Sequence, residues 1–281
     1  MSRLADSYAH CVRVARERAK NFYYSFLVLP EEKRLAMCAI YAFMRECDDL
    51  SDEAGASLAN IAGWRAEMQQ TLTGPPANHP VWPAFQDTVR KYRIPARYFH
   101  EMIDGVSSDL EPRRIETFDE LYRYCYLVAS VVGLTTIHIF GFDDPRALAL
   151  AEQCGIAFQL TNIIRDVRED AVNQRVYLPA QDLARFSVTP EALAAPVTTP
   201  EIRQLLEFEG GRAQEYYRLS RPLIAMVRED SRPALWALIE IYSQLLNRIE
   251  QRGYDVMPGK VRLSTSEKMT VLARAWLRRL F

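Results

Sequence analysis

A single all-α domain is the fold class this sequence predicts, on three observations. Apolar residues recur at helical spacing along nearly the whole chain, Pro and Gly fall between those stretches, and no run alternates apolar with polar long enough to make a strand. The amphipathic stretches cover residues 5–19, 31–53, 57–73, 80–92, 95–110, 117–140, 144–170, 200–226, 230–253 and 264–279. Pro30 followed by Glu31-Glu32 opens the second of them, with acid at the positive end of the helix dipole. Gly74-Pro75-Pro76 closes the third, Gly141-Phe142-Asp143-Asp144-Pro145 turns the chain before the seventh, and Gly253 stops the ninth. Ser187 to Pro200, rich in Ala, Thr and Pro, is the long loop. The helices on either side of it are needed to complete one core, so residues 1–281 are read as one domain.

The composition is that of a soluble globular chain with a substantial core, 49% hydrophobic and 25% charged. With 35 basic against 36 acidic residues, and no basic block interleaved with aromatics, nothing favours nucleic acid. Five cysteines (Cys11, Cys38, Cys47, Cys125, Cys154) lack CxxC spacing and are read as reduced, mostly buried thiols. Met1 to Asp6 lacks the apolar run of a signal peptide, so a cytoplasmic location is expected, with peripheral membrane contact left open. Tyr124 to Phe142 contains no Asp, Glu, Lys or Arg and is nearly long enough to span a bilayer. Its Ser130, Gly133, Thr135, Thr136 and His138 favour a buried central helix instead.

The chemistry concentrates in two acidic clusters inside apolar helical stretches. The first is Asp48-Asp49-Leu50-Ser51-Asp52-Glu53. Tyr41, Arg45, Asp48 and Asp52 are spaced by 4, 3 and 4, which puts them in one stripe. Carboxylates four apart on one face can share a metal cluster, and Arg45 lies one turn behind, within reach of a phosphate. The competing reading is a solvated helix end with an Arg45–Asp49 surface pair. It is weakened because acid at a helix C-terminus opposes the dipole. In the second cluster Gln159, Asn162, Asp166 and Asp170 share one side of a helix, with Ile156, Ile163 and Val167 on other faces. Three oxygen ligands at i, i+4 and i+8 are harder to reach by chance than one pair, and the ligand reading is preferred over an Asn that merely caps a neighbour. The segment from Ala171 to Pro179 leaves that helix carrying Arg175 and Tyr177. It is read as a flap that brings Arg175 onto a diphosphate, with a plain polar loop as the alternative.

Together these residues resemble the squalene and phytoene synthase family, the trans-isoprenyl head-to-head synthases. Five stretches carry the likeness: Asn21 to Phe26 with Leu29-Pro30, Tyr41 to Glu53, Tyr124 to Gly133, Gln159 to Pro179, and Tyr254-Asp255-Val256 after the helix of Tyr242. The resemblance implies an all-α isoprenoid-synthase fold around a central cavity, with Mg²⁺ at both acidic motifs. Asp48, Asp49, Asp52, Asn162, Asp166 and Asp170 would hold the metal. Lys20, Arg45, Gln159, Arg175 and Tyr177 would bind substrate, Phe22 would line the prenyl channel, and Tyr41, Tyr124 and Tyr242 would stand near the reacting carbons. Phe22-Tyr23-Tyr24 and Asp182 to Phe186 resemble the bacterial squalene-pathway branch that feeds hopanoids. Cys47, Ser51 and the polar run Val106-Ser107-Ser108-Asp109 depart from the common pattern and bear on product identity.

The expected reaction is Mg²⁺-dependent coupling of two farnesyl diphosphates to presqualene diphosphate, with onward conversion to squalene left open. Phytoene synthase, joining two geranylgeranyl diphosphates, is the nearest rival. A non-catalytic assembly factor of the same fold ranks below both, because the acidic motifs are kept together. None of the four histidines adjoins either motif, which argues against a di-iron bundle built on Glu-x-x-His. No Gly-rich dinucleotide fingerprint is present, yet relatives use NADPH without one, so NADPH stays open. The partners expected are prenyl diphosphate substrates and downstream isoprenoid-pathway enzymes.

Overall fold

The computed structural model describes residues 3–52, 57–110 and 114–277, with the side chains of residues 20–22, 51 and 52 outside that description. The roles expected of Lys20, Phe22 and the Asp52 side chain therefore lie outside the described residues. Among the described residues the chain is helical throughout, with an isolated β-bridge between Phe142 and Val227 and no strand. The helices are α1 (Arg3–Arg18), α2 (Lys20–Phe26), α3 (Glu31–Asp52), α4 (Leu58–Thr73), α5 (Trp82–Tyr92), α6 (Ala96–Ser108), α7 (Phe118–Cys125) and α8 (Val131–Phe140). They continue with α9 (Arg146–Val172), α10 (Ala180–Arg185), α11 (Pro200–Ser220), α12 (Leu223–Met226), α13 (Arg232–Gln251) and α14 (Thr265–Leu277).

Local chemistry sets the starts of these helices. Ser57 Oγ accepts from Asn60 N at 3.2 Å ahead of α4, and Thr117 Oγ1 accepts from Glu120 N at 3.3 Å ahead of α7. Thr199 caps α11, with Pro200 at its first position. α9 is the axis of the bundle, packed by α7, α8, α11 and α13, while α3 packs against α1, α4, α5, α6 and α8. The uncharged stretch expected as a buried central helix is one: Leu134, Ile137, Ile139 and Phe140 are buried.

Four features depart from the periodicity. α2 was not expected, because a short, aromatic-rich run shows no apolar stripe. Neither was α10, six residues long, between the flap and the segment read as loop. The stretch 200–226 is split between α11 and α12, where Pro222 removes a backbone donor. Between α7 and α8 the chain makes a π-turn, Tyr126–Ser130. That turn is squeezed from both sides. A Cβ added at Gly105 of α6 would sit 3.1 Å from the Leu127 carbonyl, and one at Gly155 of α9 would sit 2.4 Å from Ser130 Cα. Glycine alone permits these backbone approaches. All five cysteines are buried and free.

Two clusters fix the walls. Phe43 of α3 stacks on Phe85 at 4.5 Å and meets Phe99 edge-on at 5.5 Å, with Trp64 at 5.8 Å. On the other side Arg212 of α11 donates to Asp182 Oδ2 of α10 at 2.6 Å and to Glu209 Oε1 at 2.8 Å. Its guanidinium lies between the rings of Phe118 and Phe208, at 4.3 and 4.4 Å. Glu209 is fully buried, and its second oxygen has no hydrogen-bond partner among the described residues. Burial pushes its carboxyl up to about 7; Arg212 counteracts that and Asp182 adds to it. With Ala180 N donating to Ile115 O at 2.8 Å, this cluster pins the chain just beyond Arg175 and Tyr177.

Candidate active site

α3 forms because Glu31 and Glu32 suit its first turn and because Cys38, Ala39, Ile40, Ala42, Phe43 and Cys47 supply a continuous buried face. That face fixes the rotation of the helix and turns Asp48 into a cavity of about 280 Å³. The cavity also takes Met102 and Val106 from α6, Tyr124 from α7, Leu127 and Val128 from the π-turn, Val132 from α8, Gln159 from α9, and Arg175. Leu127 and Val128 of the π-turn both line it, as do the adjacent pairs Phe43-Met44 and Cys47-Asp48 of α3.

Polarity divides this cavity. Asp48, Asp109, Gln159 and Arg175 supply its charged and amide groups, while Phe43, Met44, Met102, Leu127 and Val132 supply hydrocarbon. The aromatic cluster behind Phe43 closes the floor. Arg175 reaches the cavity through a specific backbone device. Gln174 takes the left-handed conformation, φ 62°, just past the end of α9, and Arg175 N donates back to Asp170 O at 2.8 Å. The chain thus reverses at the helix end and carries Arg175 inward.

Asp109 was quoted in the sequence only as an unusually polar position. In the structure its Oδ1 accepts from Tyr177 Oη at 3.1 Å and its Oδ2 from Tyr124 Oη at 3.3 Å. The two rings stack at 4.7 Å, 19° from parallel. Burial, then the Asp109 charge, drives the Tyr124 phenol far above its ordinary range and raises Tyr177 to about 12. Both phenols therefore stay protonated at neutral pH.

On α9, Asn162 Nδ2 donates to Gln159 Oε1 at 3.4 Å, and its buried Oδ1 has no partner among the described residues. Asp166 accepts from Arg165 Nε at 2.8 Å and Nη2 at 2.5 Å, and pairs with Lys260 Nζ at 2.8 Å. Burial works to raise its carboxyl, but these two cations hold it below the usual carboxylate range. Lys260 also reaches Glu169 at 2.8 Å. Asp170 is pushed up to about 7, by burial first and then by Asp166 and Glu169. On α3, Arg45 is turned to Asp49, whose other oxygen takes Arg18 Nη2 of α1 at 3.1 Å. Asp49 thus ties α3 to α1 and is absent from the cavity lining that Asp48 enters. Among the described residues no three acidic, His or Cys side chains converge on one point as they stand. The Asp52 side chain is outside that set.

The three tyrosines expected near the chemistry are not in one place. Tyr124 lines the apolar cavity. Tyr242, raised to about 12 mainly by burial, stacks on Phe158 at 4.4 Å and contacts Asn162. It lines a second cavity of about 330 Å³ that carries Arg165, Lys260, Arg262 and Lys268. Tyr41, half-buried on α3 and also raised to about 12 by burial, feels Arg45 and Asp48 on its own helix and adds to the shift of Tyr242. The sequence reading missed Asp109, Arg165, Lys260, Arg262 and Lys268. Lys260-Val261-Arg262-Leu263, a basic run right after Tyr254-Asp255-Val256, was the available signal for the second cavity.

An all-α bundle whose acid-bearing helices flank a cavity half charged and half hydrocarbon defines a class built for long-chain diphosphates. The chain belongs to the squalene/phytoene synthase family, whose description matches residues 15–267, and with it to the prenyltransferases that couple prenyl diphosphates head to head. It is 35% identical to the 15-cis-phytoene synthase of Synechococcus elongatus, over 99% of this chain and 95% of that one. A solved dehydrosqualene synthase with bound ligand superposes with a TM-score of 0.91 at 30% identity, covering 97% of this chain and 96% of the other. The squalene synthase HpnC of Alicyclobacillus acidocaldarius gives 0.84 at 27% identity, covering 90% and 96%. The isoprenoid-synthase fold expected from the resemblance is the fold found. Family members generally use a divalent metal with their diphosphate substrates.

Proposed function

We propose that this chain couples two farnesyl diphosphates to presqualene diphosphate, with Mg²⁺ as the bound cation. The observation that carries the reading is the divided cavity. Asp48, Arg175 and Gln159 suit an anionic head held through a cation, and Phe43, Met102, Leu127 and Val132 suit a hydrocarbon tail. Asp48 and Asp52 on α3, with Asn162, Asp166 and Asp170 on α9, would hold Mg²⁺. The α9 set fits: Asn162 Oδ1 is buried and unpartnered, and Asp170 is crowded by two like charges that a cation would relieve. A divalent cation held by these residues would supply charge neutralisation and Lewis acidity at the diphosphate.

The rest is work for the chain's own residues. Arg175 donates to diphosphate oxygens and stabilises the departing anion. As the C1–O bond of one substrate breaks, its electron pair leaves with diphosphate. The 2,3-double bond of the second substrate then attacks that carbon, and loss of a proton closes the cyclopropane. Tyr124, which lines the cavity, is held by Asp109 and backed by the stacked ring of Tyr177, and presents its ring to the cationic carbons. Their phenols are too weakly acidic to be consumed as acids. Phe43, Leu127 and Val128 keep water away from a cation it would trap. Onward conversion to squalene would need a second ionisation and a hydride donor such as NADPH.

The aromatic rings packed behind Phe43, which lines the cavity, support the shorter C15 chain. The phytoene synthase reading has its own support in relatives at 35 and 36% identity that carry that name. Purified chain incubated with Mg²⁺ and each prenyl diphosphate, with and without NADPH, separates the two by mass spectrometry of the lipid product. Exclusive use of the C20 substrate overturns the farnesyl reading. No product from either, by folded protein, overturns coupling itself.

A further inference from the structure

Closing a cyclopropane releases a proton, and the reaction proposed above gives that proton no acceptor. Water is unsuitable, because it would trap the cation that has to be deprotonated. Most side chains lining the divided cavity carry no basic group. Arg175 is a permanent cation and Gln159 a neutral amide, so neither takes a proton. Tyr124 and Cys47 keep protons of their own: burial first drives the phenol far above its ordinary range and raises the thiol to about 12. Two carboxylates remain among the described lining residues, Asp48 and Asp109. Asp48 is committed to the cation in the reading above, which leaves Asp109.

Asp109 directly follows α6 and shares the cavity with Val106 of that helix and Leu127 of the π-turn. A bare carboxylate beside a carbocation would bond to carbon. Asp109 is not bare, since Tyr177 Oη donates to its Oδ1 at 3.1 Å and Tyr124 Oη to its Oδ2 at 3.3 Å. A phenol on each oxygen draws off electron density and weakens the group as a nucleophile. An ionised carboxylate offers about four acceptor sites, so two phenols do not saturate it.

We propose that Asp109 is the base that closes the three-membered ring. Once the first coupling bond has formed, a C–H bond on the newly joined carbon breaks. Its electron pair makes the second ring bond to the electron-deficient tertiary carbon. The proton passes to an Asp109 oxygen, which becomes a carboxylic acid and later returns the proton to water. The step is the same for a C15 or a C20 chain. The inference therefore rests on head-to-head coupling through a cyclopropane and not on the choice of chain length.

The test measures two quantities in one incubation of the full chain with Mg²⁺ and a prenyl diphosphate: coupled lipid, by mass spectrometry, and inorganic diphosphate released. Asp109→Asn keeps an acceptor for the phenols but is no base. Its ratio of coupled lipid to diphosphate should fall roughly tenfold or more. Asp109→Ala should show the same loss, and added formate, a small carboxylate, should restore part of the ratio. A role confined to holding the tyrosines would give no such rescue. Far-UV circular dichroism checks that the helices of each variant remain. An unchanged ratio in Asp109→Asn leaves the proton to the departing diphosphate and overturns the proposal. So does a ratio lost in Asp109→Ala that formate does not raise. Absence of coupled lipid from the wild type removes the coupling reading, and this inference with it.

Discussion

Replacing Glu209 by Gln should make this protein more stable at alkaline pH and leave it unchanged at acid pH. Glu209 is fully buried on α11, shares Arg212 with Asp182, and has one oxygen without a hydrogen-bond partner among the described residues. Burial, against the pull of Arg212, moves its carboxyl from 4.5 to about 7. The folded-state value lies above the unfolded one, so the fold favours the protonated acid. Its contribution is complete below about 4.5 and is lost as pH rises through about 7. A shift of that size, at about 1.4 kcal/mol per unit, corresponds to roughly 3 kcal/mol. Gln keeps an oxygen for Arg212 and has no charge to bury. Urea unfolding of both proteins, followed by circular dichroism between about pH 4 and 8.5, should give matching stabilities at the acid end. At the alkaline end the variant should lead by up to about 3 kcal/mol. Asp170 also titrates near neutrality but is present in both proteins, so the difference between them isolates Glu209. A gap that stays constant with pH, or a variant that loses stability as pH rises, refutes this account of the cluster.

Other predictions concern the reaction. Asp166→Asn should nearly abolish Mg²⁺-dependent turnover while far-UV circular dichroism stays that of the wild type; wild-type rates would count against the metal assignment. Asp109→Asn weakens the acceptor shared by Tyr124 and Tyr177, and hydrogen bonds to a charged group are worth about 1.5–3 kcal/mol. Its kcat should therefore fall roughly tenfold to a hundredfold, and a Tyr124→Phe/Asp109→Asn double variant should lose less than the two single losses combined. Val106→Phe narrows the cavity and should depress turnover of the C20 diphosphate more than that of the C15, measured as a kcat/KM ratio. An unchanged ratio would remove this cavity as the seat of chain-length choice.

The long helices were legible because burial leaves a mark at every turn. α3 and α9 carry apolar residues around their acids, so their rotation, and the inward aim of Asp48 and Gln159, followed from spacing alone. The inward course of the segment after α9 was readable in outline, since Arg175 does enter the cavity. Sequence could not give the convergence of distant segments. Asp109 comes from the end of α6, Tyr124 from α7, and Tyr177 from beyond α9; only packing brings their oxygens together. The π-turn has no periodic signature; it lies where Gly105 and Gly155 let their helices approach its backbone closely. The Arg45–Asp49 pair, weighed in the sequence as a competing reading, is present and is joined by Arg18 from α1. One helix thus carries both an acid that lines the cavity and an acid that braces its neighbour.

The cations that grip Asp166 bear on how such a protein comes into being. Arg165 and Lys260 act as placeholders, answering the negative charge of α9 with groups the polypeptide brings itself. A newly made chain can therefore complete its bundle wherever ions are scarce, without waiting for one to quiet Asp166. On the proposed metal reading, an arriving cation would have to displace both side chains, so its binding would cost those bonds and its grip would be tempered. The displaced side chains would then stand ready to return on its release.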